Sequence, residues 1–464
     1  MAIEHYQNVM IGSGEAGKFL AWTLARHGEK SLVIERWLMG GACPNVACLP
    51  SKNVIHSAKV AALANHAATF GVNVGLVKID MPAVIAHKQR MIDGLMEIHH
   101  KNFHDSGAEL QMGHARLLDR STVEIALPEG GTRVVTAERI FLAVGTRATL
   151  PEVPGLADAR PMTHVEALQL DHLPEHLVII GGGYVGLEFA QALRRFGSSV
   201  TILQHGRQLL EREDPEFSAA VLQIMQDEGI EVLLDTNIEK VTGRSGECVQ
   251  LTVTSPALRT IVATDLLIAT GRTPNTDRLG TEKAGVRLDA RGYIQVNERL
   301  ETGVPGIWAL GECAGSPQFT HVSYDDYRIV RDNLAGGHRT TRNRIIPYCL
   351  FTDPELAHVG LSEREAKAQG LTYRLLRMPM AAVLRTFTHG DQRGMVKVLI
   401  GQDDRILGFT ALGVEANEMA AAVQVAMLGK LPYTVLREGI FPHPTTAEAL
   451  MMLFAGQPSP PDAA

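Results

Sequence analysis

Two stretches of this chain repeat one pattern, an apolar strand, a G-x-G-x-x-G turn and an amphipathic helix, and that repetition narrows the possible folds more than any other feature. The first reads VMIGSGEAGKFLAWTLARHG and the second LVIIGGGYVGLEFAQALRRFG; the strands SLVIER and SVTILQ follow them. One such turn matches often by chance, but a copy on each of two strand-turn-helix-strand units implies two dinucleotide-binding units of an α/β fold. The first glycine permits the tight turn, the second lets backbone approach a pyrophosphate, and the third lets helix and strand close together. Unpaired N–H groups at the helix start then face the phosphates. These glycines are Gly12, Gly14 and Gly17 in the first unit and Gly181, Gly183 and Gly186 in the second. Glu35 ends the strand after the first turn, where a ribose hydroxyl would find an acceptor.

A chain of 464 residues is too long for one core and suggests about three domains. Helical patterns are expected at about 53–68 and 82–104, and strand endings at IFLAVGTRATLPEVPG and LLIATGRTPNTD. A strand and turn, GIWALGECAG, leads to a helix at about 322–335, and the polar link GGHRTTRNR reads as a joint. Beyond it, IPYCLF and MVKVLI read as strands, and 419–429 and 433–438 as helices, of an α+β unit. The tail QPSPPDAA is expected to fray.

Composition excludes several classes. With 45% apolar and 20% charged residues, wholesale disorder is ruled out. A net charge of -7 leaves no footprint for a nucleic acid, and no apolar run is long enough to span a bilayer. The opening residues read as the approach to a strand, so no secretory leader is expected. Five cysteines are too few, and odd in number, for a disulfide scaffold, so a reducing cytoplasmic compartment is expected. Cys248, Cys313 and Cys349 are scattered, whereas Cys43 and Cys48 share the string GGACPNVACLPSK. Their spacing lacks the second Cys/His pair of a zinc knuckle. A cysteine in the first turn of a helix has its thiolate stabilised by the helix dipole, which favours redox reactivity.

The order G-x-G-x-x-G, acidic strand end, G-G-x-C-x4-C-x-x-S-K, second G-x-G-x-x-G-x-E, A-T-G-R-x-P-N, P-G-I-x-A-x-G and terminal H-P-T-x-x-E closely resembles the pyridine nucleotide-disulfide oxidoreductases along essentially the whole chain. Segments such as PQFTHVSYDDYRIVRDNL and LPYTVLREGIFPHPT look most like its mercuric-reductase-like branch, which contains the reactive-chlorine-resistance copper(II) reductase. The resemblance implies an FAD domain (1–155 and 273–343) split around an NAD(P) domain (156–272), then a dimerisation domain (344–464).

The resemblance also assigns roles. NAD(P)H would reduce FAD, and the flavin a Cys43–Cys48 disulfide, with Cys48 the charge-transfer thiolate and Cys43 the interchange thiol. That thiol would attack a small disulfide or bind a thiophilic metal ion. Lys52 would lie near the flavin and pair with Glu188, and Tyr184 would lid the nicotinamide pocket. His443, oriented by Glu448, would act as base on the partner subunit's site in a homodimer. FAD would be held by Gly12, Gly14, Gly17, Glu35, Gly41, Lys52, Ala115, Gly145, Thr146, Glu312 and Thr320. NAD(P) would be held by Gly181, Gly183, Gly186, Glu188, Gln204, His205, Arg207 and Gly271.

This sequence departs from the pattern in places. The tail lacks the vicinal cysteines of mercuric reductases, and His443 stands where they carry tyrosine; mercury specialisation is therefore not expected. Pro44 and Ala47 alter the redox loop, and Pro44 is tolerable in a first helical turn. Glu312 replaces an aspartate that contacts the ribityl chain, and FPHPT lacks a histidine found two places before the base in lipoamide and glutathione enzymes. Gln204 ends the second unit's strand where an acid would mark NAD; with His205 and Arg207 near a 2'-phosphate, NADPH is expected over NADH. His99, His100 and His104 could hold a metal but read better as a solvated helix face, so no metal site is assigned. Rival readings are a dihydrolipoyl dehydrogenase and a non-enzymatic flavin-nucleotide sensor.

Overall fold

Val9, Met10 and Ile11 are buried, as are Leu32, Val33 and Ile34 on the next strand, as strands covered on both faces require. Successive side chains point to opposite faces, so Met10 and Val33 pack with Trp22 and Leu20, while Val9 and Ile34 pack with Ile140 and Ile307. The computed structural model describes residues 3–461.

Glu4–Ile11 pairs in parallel with Ser31–Glu35 on one side and Thr132–Leu142 on the other. The late strand Ile307–Ala309 also pairs in parallel with Thr132–Leu142. This sheet is therefore completed only after the chain has built the second unit. There His176–Ile180 lies between Ser199–Leu203 and Asp265–Ile268, all parallel. Leu177 and Ile179 pack toward the helices, and Val178 and Ile180 toward the antiparallel sheet Asn237–Arg244, Cys248–Thr254, Leu258–Ala263. The two units meet where Thr146–Ala148 pairs antiparallel with Arg272–Pro274.

Residues 347–413 form a five-stranded antiparallel sheet, covered by the helix Ala416–Leu428. Lys397 of this sheet is almost fully buried and reaches three carboxylates: Asp214 at 2.5 Å, Glu363 at 3.2 Å, and Glu216. It ties the third unit to the second.

The helices expected near 53–68 and 82–104 are Cys48–Asn65 and Met81–Ser106, both starting earlier than expected. The tail does not fray at Ser459, whose N–H and C=O pair with Leu375 at 3.0 and 2.7 Å; residues 462–464 lie outside the described residues. Among the described residues no helix is long and apolar enough to cross a membrane.

Candidate active site

The first glycine turn opens on a cavity of about 670 Å³. Gly12, Gly14, Glu35, Gly41, Ala115, Gly145, Thr146, Glu312 and Thr320 all line it, so most of the expected flavin residues converge. Gly17 and Lys52 do not line it. The turn's shape is steric: a Cβ on Gly17 would lie 2.1 Å from the Gly12 carbonyl oxygen. On Gly14 it would project toward open space, its nearest neighbour 3.9 Å away. Glu35 is buried and accepts the Ser13 N–H at 3.0 Å and the Trp37 N–H at 2.9 Å. Its first duty is thus to fix the turn.

Glu312 accounts for its extra methylene by turning to the neck between the units. It accepts from the Thr146 hydroxyl and, at 3.1 Å, from Arg272 Nε. Arg272 also donates to Thr146 Oγ1 at 2.6 Å and its carbonyl at 3.0 Å. His164 faces the same cavity; burial, with Arg272 adding repulsion, pushes its imidazole down to about 4, so it is neutral near pH 7. Sequence reasoning missed both residues, although Arg272 stands in the quoted A-T-G-R string and His164 carries no comparable signal.

Cys43 lies on the short helix Ala42–Val46 and lines the cavity, while Cys48 begins the helix Cys48–Asn65. Asn45 Nδ2 donates to the Met39 and Gly41 carbonyls at 2.9 and 2.8 Å, bracing the loop between them. The two thiols are free of any disulfide and close enough to influence each other's ionisation. Cys48 Sγ is 3.2 Å from the Thr320 hydroxyl. The hydrogen bond from Cys43, then Thr320 and the Lys52 charge, hold Cys48 well below the ordinary thiol range. Cys43 is pushed up by the same hydrogen bond and by burial.

Helix Cys48–Asn65 packs on helix Tyr184–Phe196, and this brings Lys52 Nζ to 2.7 Å from Glu188. Glu188 is buried and also accepts the Phe351 N–H at 3.0 Å. Tyr184 donates to Glu213 at 2.6 Å, and Tyr348 donates to the same oxygen at 2.8 Å. Burial, then the Glu213 charge, raises both phenols. Glu213 and Tyr348 were not singled out from sequence, since 135 residues separate them.

The second glycine turn repeats the sterics of the first: a Cβ on Gly181 would meet the Ala269 carbonyl oxygen at 2.4 Å, and one on Gly186 the Gly181 carbonyl oxygen at 2.1 Å. Around Gly183 nothing lies within 4 Å, and Gly271 is equally open. Gln204 is buried; its Oε1 accepts the Gly182 N–H at 2.8 Å and its Nε2 donates to Glu211 at 2.8 Å. Gln204 stands where an acid would mark NAD, yet a carboxylate reaches this place as well, because the loop folds Glu211 back. His205 and Arg207 are exposed.

His443 is exposed, with Nδ1 at 2.9 Å from both Glu448 oxygens, so the dyad forms, but away from the cavity of its own chain. His99 departs from a solvated face: it is buried, bonded to the Leu95 carbonyl oxygen at 2.6 Å and packed beside Trp22. His100 and His104 are exposed. Among the described residues the acidic group able to converge on an ion is Asp214, Glu216 and Glu363, and Lys397 fills its centre.

Comparison with known proteins decides the family. The family described as "Pyridine nucleotide-disulphide oxidoreductase" matches residues 6–326, and its dimerisation domain matches 346–454. The chain belongs to this family. Among pyridine nucleotide-disulfide oxidoreductases it is 36% identical to the "Probable pyridine nucleotide-disulfide oxidoreductase RclA" of Escherichia coli (strain K12), over 97% of this chain and 99% of that one. It is also 36% identical to a mercuric reductase of Streptomyces lividans, over 96% of this chain and 95% of that one. A solved structure, the Cu(II) complex of the HOCl-induced flavoprotein disulfide reductase RclA from Escherichia coli, superposes with TM-score 0.89 at 34% identity, covering 98% and 99% of the two chains. Membership implies FAD and a pyridine nucleotide. The residues present fit both, since each glycine turn leaves the open face that a pyrophosphate needs.

Proposed function

We propose that this chain is an FAD-dependent NAD(P)H oxidoreductase in which Cys43 and Cys48 cycle between dithiol and disulfide, reducing a small disulfide or a thiophilic metal ion. The observation that carries this reading is the setting of Cys48, a thiol made acidic by Cys43, Thr320 and Lys52 at the edge of the cavity. FAD, when bound there, supplies the two-electron relay between coenzyme and cysteines.

The chain's own residues divide the remaining work. Lys52, fixed by Glu188, places a positive charge beside Cys48. Tyr184, held on Glu213, covers the nicotinamide position. On the acceptor side, the Cys43 thiolate attacks one sulfur of an external disulfide, forming a mixed disulfide and releasing a thiol. Cys48 then attacks Cys43 Sγ, which restores the Cys43–Cys48 bond and releases the second thiol. His443 takes the proton from Cys43 and gives it to the first departing thiolate, and the second departing thiolate takes its proton from solvent through the same imidazole, whose tautomer is set by Glu448. Because the dyad stands away from its own cavity, the site is completed between two subunits of a homodimer. The sheet boundaries support joints near residues 155, 272 and 343.

The test is coenzyme oxidation by the FAD-loaded protein with oxidised glutathione, other small disulfides, lipoamide, Cu(II) and Hg(II). Turnover with a disulfide or a soft metal, lost in Cys43→Ser, is expected. No turnover with any acceptor while FAD stays bound would overturn the reading.

A further inference from the structure

The carboxylate of Glu211 stands at the ribose end of the second glycine turn, and we infer that it selects NADH over NADPH by excluding a 2'-phosphate. This rests on the oxidoreductase reading and names the coenzyme it uses. In a unit of this topology the side chain ending the second strand lies beside the adenosine ribose. In the first unit Glu35 fills that place and accepts the N–H of Ser13 at 3.0 Å. In the second, Gln204 fills it and accepts the N–H of Gly182 at 2.8 Å. The two side chains are in register.

What differs is the other arm of Gln204. Its Nε2 donates to Glu211 Oε1 at 2.8 Å, so a neutral amide carries a carboxylate at its tip. The backbone is shaped for this contact: a Cβ on Gly206 would lie 2.2 Å from Glu211 Oε1 and 3.1 Å from Gln204 Nε2. Any larger residue there would displace the carboxylate. Glu211 is exposed, free to accept from a ribose hydroxyl and to repel a phosphate.

The cations of the loop do not reverse this balance. Arg207 Nε faces Asp235 at 3.8 Å, and the Asp235 N–H bonds the Gly206 carbonyl at 3.1 Å, holding that second carboxylate beside the loop. Glu211 and Asp235 thus stand against His205 and Arg207, while the guanidinium of Arg364 is held by the Glu211 and Arg212 carbonyl oxygens at 2.6 and 2.7 Å.

The test is calorimetric binding of ADP-ribose and 2'-phospho-ADP-ribose to FAD-loaded wild type, Glu211→Gln and Glu211→Arg, with NADH and NADPH kcat/KM alongside. Wild type should favour the unphosphorylated partner by about ten- to a hundredfold, the range expected of one charged hydrogen bond. Glu211→Gln should narrow that ratio and Glu211→Arg reverse it. A wild type that prefers the phosphorylated ligand, or a ratio that Glu211→Gln leaves unchanged, overturns the inference. If the fragments bind in this pattern while neither coenzyme reduces the flavin, the selection stands and the reductase reading fails. If neither fragment binds wild type, both fail.

Discussion

Cys48 owes its acidity to neighbours that can be removed singly. The Thr320 hydroxyl is the most informative, because valine keeps its shape and deletes only the donor. In the dithiol form, Thr320→Val should raise the pH at which Cys48 ionises by about one to two units, since a hydrogen bond to a charged group is worth about 1.5–3 kcal/mol. The sign follows from the direction of the shift: the thiolate persists at neutral pH because Cys48 is depressed, and losing a stabilising donor moves ionisation to higher pH. Ultraviolet thiolate absorbance against pH measures it, and an unmoved midpoint would remove Thr320 from the account. At this scale the sequence was legible where one residue's chemistry is local, as at Cys43, Cys48 and the His443–Glu448 dyad. It was not legible at Glu211, whose charge reaches the Gln204 position only because the intervening loop folds back. Glu213 was hidden for the same reason.

The two glycine turns separate packing from binding. A Cβ on Gly186 would press on the Gly181 carbonyl, whereas one on Gly183 would meet nothing within 4 Å. Gly186→Ala should therefore cost about 1–3 kcal/mol of stability, the range for overpacking. Gly183→Ala should leave the melting temperature nearly unchanged and weaken coenzyme binding. Thermal unfolding and coenzyme titration of both variants check this, and equal loss of stability would contradict it. These turns were readable from sequence because their demand is steric and falls within six residues. Helix starts were less so: Cys48–Asn65 begins at its cysteine without a side-chain cap, leaving no sequence signal at that boundary.

Across the whole molecule the units are joined by charges buried where they meet. Lys397 is enclosed by Asp214, Glu216 and Glu363, and burial alone would lower it, yet the carboxylates raise it. Lys397→Met would leave buried carboxylates without their cation and should cost about 3–5 kcal/mol, read by denaturant unfolding. A loss under about 1 kcal/mol, the scale of an exposed pair, would show that the cluster is solvated. The split first unit and the inserted second were legible from motif order, but this clamp was not, since Lys397 reads in sequence as one more residue of an apolar strand. The central claim, that Cys43 and Cys48 exchange electrons with the coenzyme, is tested most directly by counting thiols in denatured protein before and after anaerobic addition of NADH to the oxidised, FAD-loaded enzyme. Two additional thiols per chain should appear on reduction and be absent in Cys43→Ser. An unchanged thiol count, with coenzyme consumed, would contradict the account.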